Sequence, residues 1–182
     1  MTYYFRTLFL TMVFAAPLYL LLRRPWRFGF RREAAMAVFW LFMAGLLVLA
    51  LNGQYAPFRE LWHRGMNRLE TREYMNLRPF HTIRRFFHYT SSQNFAVNIV
   101  GNIVMFIPWG FGLVLLWKKN RSVLRLAALS LALTVFIEFV QLFIGRHVDV
   151  DDLLLNFIGG CLGGILWWVL KKPFPVLNTF GK

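Results

Sequence analysis

The chain is short of cysteine, of acid and of polar residues in general. Its single cysteine, Cys161, permits no intramolecular disulfide, and no Cys/His spacing suits zinc. Eight residues are acidic against 21 Lys and Arg, and charged residues make up only 16% of the 182. Beside so little charge stands a hydrophobic share of 58%, with 18% aromatic, more than a soluble domain of this size needs. What is present in quantity is long apolar runs separated by short basic clusters, the pattern of a polytopic helical membrane protein. A formal net charge of +13 would suit nucleic acid. The basic residues, however, lie beside the apolar runs, where they set topology and meet anionic lipid, so nucleic acid is not expected as a partner.

The expected architecture is all-α: a single membrane domain over residues 1–182, with about five spans near 3–22, 34–51, 95–117, 124–144 and 153–170. Arg23, Arg24, Arg27, Arg31 and Arg32 follow the first run directly, and no small-residue cleavage site intervenes, which argues against a signal peptide. A long segment, roughly Asn52 to Gln93, separates the second and third spans. It is too aromatic to be a disordered linker, and Ile83, Phe86 and Phe87 place a short amphipathic helix over about Thr82 to Tyr89. In the third span, Pro108 with Gly110 and Gly112 predicts a kink or weak point. With the N-terminus outside and the C-terminus cytoplasmic, the inner segments hold twelve Lys and Arg and the outer ones nine; the short loops carry the contrast.

Polar residues inside the spans gather at one membrane face. Asn98 and Asn102 share a face at the start of the third span, Glu138 and Gln141 one near the end of the fourth, and Asn156 opens the fifth. A helix rises about 1.5 Å per residue, so these side chains lie roughly 5–12 Å inside the same face. Glu138 stands out, because a carboxylate at such a depth costs roughly 2.5–3.5 kcal/mol without partners. An ion pair with Arg146 is its simplest structural explanation. Asp149 or Asp151 is placed to cap the fifth helix, and the amides suit interhelical hydrogen bonds. Gly159, Gly160, Gly163 and Gly164 form overlapping G-x-x-x-G patterns that admit a close helix, from this chain or from a second copy in a homo-oligomer.

Three blocks carry a resemblance. They are Asn76-Leu77-Arg78-Pro79-Phe80-His81-Thr82-Ile83, then Asn98 to Phe111, then Glu138-Phe139-Val140-Gln141 followed by Arg146, Asp149, Asp152, Asn156, Gly159 and Gly163. In these the chain resembles the VanZ-like membrane proteins, a family named for a teicoplanin-resistance factor. The resemblance covers about 76–166, with Trp109 where a smaller apolar residue is expected. It implies a bacterial plasma-membrane protein and a link to lipophilic glycopeptide antibiotics, but no particular reaction.

Two functions compete at the sequence level. The first is a binding protein for an amphiphile, such as a lipid-linked cell-wall precursor or a lipoglycopeptide, at an outer-leaflet polar cleft. There Asn98, Asn102, Gln141, Arg146, Asp149 and Asn156 bind the polar part, membrane lipid surrounds the rest, and the protein contributes to teicoplanin resistance. The second is an enzyme acting on a lipid headgroup. It would use Glu138 and Asp152 as catalytic carboxylates, Arg146 on developing negative charge, and a divalent cation held through Asp149, Asp152 and Glu138. The matched blocks hold no Ser or Cys beside a His, so a hydrolase would need activated water. A transporter ranks third, since five spans show no internal inverted repeat.

Overall fold

The computed structural model describes residues 29–53, 56–89 and 96–181. The first expected span, about 3–22, lies outside the described residues. Among these, four helices are long and apolar enough to cross a membrane: Phe30–Ala50 (α1), Asn98–Leu116, Val123–Phe143 (α5) and Val150–Leu170 (α6). The second begins as a π-helical turn, Ala96–Val100, and continues as the α-helix Gly101–Leu116 (α4). A helix of 21 residues is about 30 Å long, the thickness of a hydrocarbon core. The fold is an all-α bundle, as its composition requires. α4 runs unbroken through Pro108.

The polar segment between α1 and α4 is more ordered than its sequence suggested. It contains Phe58–Thr71 (α2), which the sequence did not reveal, and His81–Tyr89 (α3), which it did. Phe58, Trp62, Met66 and Leu69 fall on one face of α2 and are all exposed, with Arg59, Arg64 and Arg68 elsewhere on the helix. Trp62 stacks on Phe143 at the end of α5, with ring centroids 5.7 Å apart. Gly65 lies against the same ring and leaves no room for a Cβ. Between α2 and α3, Met75–Asn76 (β1) pairs in parallel with Val148–Asp149 (β2), in the turn joining α5 to α6.

The bundle is built on close approach of α4 and α6. A Cβ on Gly159 would meet the carbonyl of Ile103, one on Gly163 that of Ile107, and one on Gly110 that of Gly160. In lipid no hydrophobic effect draws helices together, so backbone-to-backbone packing of this kind carries the association. Gly160 and Gly164 face α5 instead, against Ser130 and Leu126. Of the two partners that the stripe admits, a helix of this chain occupies it: α4 on one side and α5 on the other. Buried Leu113, Val114, Leu126 and Trp167 form one core cluster, and Leu46, Phe106 and Ile137 another. An apolar cavity of about 510 Å³ lies between α1, α4 and α6, lined by Phe42, Ile107, Phe111 and Leu170 among others.

One end of the bundle is basic. Lys118–Arg121 form a 3-10 turn before α5, and Pro175–Thr179 form another after α6. Arg121 stacks over Trp167 at 4.4 Å and donates from Nε to the Val114 carbonyl at 3.3 Å. The tail folds back on α1, where Arg32 Nε donates to the Phe180 carbonyl at 3.0 Å.

Candidate functional site

The polar residues converge at the opposite end, and the turn after α5 positions them. Gly145 takes φ 82°, a left-handed conformation that suits glycine, and Arg146 N–H donates back to the Gln141 carbonyl at 3.0 Å. This is a Schellman stop, which ends the helix sharply and aims the chain into α6. Gln141 Nε2 donates to the Ala50 carbonyl at 2.8 Å, and Arg146 Nη1 reaches the carbonyls of Leu49 and Ala50 at 3.3 and 3.2 Å. The two side chains thus cap the free carbonyls at the end of α1. Arg146 makes no ion pair with Glu138; among the described residues the ion pairs are Arg32–Glu33 and Arg64–Glu60. The expected Glu138–Arg146 pair is replaced by this backbone cap.

Glu138 is 5% exposed, about one and a half turns below the end of α5. Its Oε2 accepts from the Asp149 N–H at 3.1 Å, while its other oxygen accepts from none of the described residues. Asp149 is the N-cap of α6 and accepts from Asp151 N at 2.9 Å. It also accepts from Asn76 Nδ2 at 3.0 Å and from the Thr82 hydroxyl. Asp152 accepts from Asn102 Nδ2 at 2.6 Å, joining α6 to α4, and keeps its second oxygen free of the described residues. Asn156, one turn deeper, is 6% exposed. Asn98, one turn outward of Asn102, is exposed.

Asp151 has the largest role that sequence reading missed. It is fully buried, yet it caps α3 and not its own helix. Its carboxylate accepts from the backbone N–H groups of Phe80, Thr82 and Ile83, the last two at 2.8 and 3.1 Å. A carboxylate at the N-terminus of a helix satisfies free donors and complements the helix dipole. Arg72, Tyr74 and Phe80, all close by in the chain, have φ of 54°, 61° and 63°, a region costly for residues with a side chain. Asp149 and Asp151 hold the segment in that shape. Its one advance signal is that Asn76, Phe80, Thr82 and Ile83 all fall in the first matched block.

The carboxylates divide by task. Asp149 and Asp151 spend their oxygens on protein donors. Glu138 and Asp152 each keep one, and both lie within electrostatic reach of Asp149 and Arg146. Among the described residues no group of three or more His, Cys, Asp or Glu side chains is placed to hold one ion together. The arrangement is a recessed pair of carboxylates with amides below and beside them, a guanidinium at the rim and apolar helix faces around it. It can receive a group that donates hydrogen bonds or carries positive charge.

No curated protein and no solved structure matches the chain. A family model does, that of VanZ/LLP1, over residues 36–171. The match starts well before Asn76 and takes in most of α1, which the sequence blocks had left out. It spans more than half of the chain and includes every residue of the site just described, so the chain belongs to the VanZ/LLP1 family.

Proposed function

We propose that this multi-pass membrane protein binds an amphiphile at the polar end of its bundle, and that this end faces the outer leaflet. The ligand class is a lipid-linked cell-wall precursor or a lipoglycopeptide. The observation carrying this is the spare oxygen on each of Glu138 and Asp152, recessed beneath a rim that bears Arg146. Amide or ammonium groups of the ligand donate to the two carboxylates, while Arg146 and the neighbouring arginines of α2 attract its anionic groups. The acyl chain lies along exposed apolar faces such as those at Val104 and Phe139, since the apolar cavity belongs to the other half of the bundle. Protection against teicoplanin follows if the occupied site withholds or displaces the lipidated drug.

The test is a sensitivity assay on cells expressing wild type or Glu138→Gln at matched membrane levels, with teicoplanin and vancomycin side by side. Wild type is expected to protect selectively against the lipidated drug, and the variant to lose most of that protection. Equal protection by both proteins would make Glu138 structural.

The same pair of carboxylates supports a second function, a membrane enzyme acting on a lipid headgroup, with Glu138 as general base and Asp152 orienting water or holding a divalent cation. Turnover of a lipid in detergent, lost in Glu138→Gln and Asp152→Asn alike, separates it from simple binding.

A further inference from the structure

Below Glu138 the interface of α5 with α4 and α6 stays polar. Ser130 and Thr134 lie two turns and one turn deeper on the same face of α5, and both are completely buried. Facing them, Asn156 and Gly160 continue the stripe of Asp149 and Asp152 on α6. The register is fixed at both ends, at the top by the bond from Asp149 N to Glu138 and lower down by Gly160 lying against Ser130 Oγ. Trp109 of α4 reaches the same spot, with its Cδ1 beside Gly160.

Thr134 satisfies itself by donating to the Leu131 carbonyl at 3.0 Å. The others do not. Ser130 Oγ, Asn156 Oδ1 and Trp109 Nε1 are buried with no hydrogen-bond partner among the described residues. A buried polar atom without a partner is strongly disfavoured in a membrane interior, and here three helices contribute one each. Their chemistry is complementary: Asn156 Oδ1 only accepts, Trp109 Nε1 only donates and Ser130 Oγ does both. A molecule with two donors and two acceptors answers all three. Farther along, the stripe ends at buried Leu126, whose side chain fills the space over Gly164.

We infer that Ser130, Asn156 and Trp109 form a water-binding pocket in the middle of the bundle, beneath the carboxylates and closed by Leu126 toward the basic end. It stands independently of the proposed function, because water occupies it whether or not an amphiphile binds.

The test uses the full chain with ¹⁵N in the indole of tryptophan, in lipid nanodiscs without ligand. The Trp109 Nε1–H resonance is identified by its loss in Trp109→Phe. Its magnetisation transfer from water is then read, since an indole N–H beside bound water shows a direct water cross-peak. The expected result is a clear water cross-peak at Trp109 Nε1–H, reduced at least twofold in Ser130→Ala with Asn156→Leu. Ser130→Ala alone serves if the double variant fails to fold. No water cross-peak in the wild type overturns the pocket. A cross-peak unchanged by the variants also overturns it, because water would then reach Trp109 by a route that avoids Ser130 and Asn156.

Discussion

At the residue scale, the acidic side chains differ in what their removal should do. Asp151 accepts three backbone N–H bonds in a fully buried position, and hydrogen bonds to a charged acceptor contribute about 1.5–3 kcal/mol each. Asp151→Ala is therefore expected to free the segment around Arg72 to Arg85. The net loss of even one such bond should raise trypsin cleavage there roughly ten- to hundredfold, since about 1.4 kcal/mol is a factor of ten. Glu138→Gln keeps the carbonyl that Asp149 N–H needs, so trypsin sensitivity should stay near wild type even where function is lost. That contrast separates an organising carboxylate from a working one. The sequence did expose Glu138, because a carboxylate in an apolar run is conspicuous. It did not expose Asp151, whose partners lie about 70 positions away and are backbone groups, which no residue pattern records.

At the scale of the element, the glycines discriminate. Among the described residues nothing lies within 4 Å of a Cβ at Gly101, whereas at Gly163 a Cβ would overlap the Ile107 carbonyl and the Phe111 nitrogen. Gly163→Ala is expected to lower the melting temperature in detergent by several degrees and Gly101→Ala to leave it unchanged, as read by thermal shift. α2 gives a second prediction. Its exposed Phe58, Trp62, Met66 and Leu69 suit a helix lying on the bilayer surface. Trp62 fluorescence should therefore be quenched more by lipids brominated near the headgroup than by those brominated near the chain end. The four spans among the described residues were legible because a bilayer demands continuous apolar runs, and their ends shifted by only a few residues. α2 was not: Arg59, Glu60, His63, Arg64, Asn67 and Arg68 crowd its other face, so its apolar positions read as scattered hydrophobes in a polar loop. The glycine stripe was legible as a packing surface, yet spacing alone could not say which helix would take it.

At the scale of the whole molecule, the bundle has one polar and one basic end, and the basic end is predicted to face the cytoplasm. In a Cys161→Ala background, Glu73→Cys should react with a membrane-impermeant thiol reagent added to intact cells, and Lys172→Cys only after the membrane is opened; the reverse pattern would invert the molecule. Convergence of the polar positions at one end was legible because helix rise sets depth. How they connect was not, because the bonds join α1, α3, α4, α5 and α6 across separations of up to 97 positions. The β1–β2 pair shows this most directly: Asn76 and Asp149 are 73 positions apart. During synthesis, the segment from α2 to α3 emerges well before the residues that hold it, at about 5–20 residues per second. Its left-handed turns and the cap on α3 wait for α6 to enter the bilayer. A nascent chain that stalls after α5 thus carries an unfinished, arginine-rich segment open to membrane proteases, and insertion of the last helix becomes the checkpoint for the whole extramembrane structure.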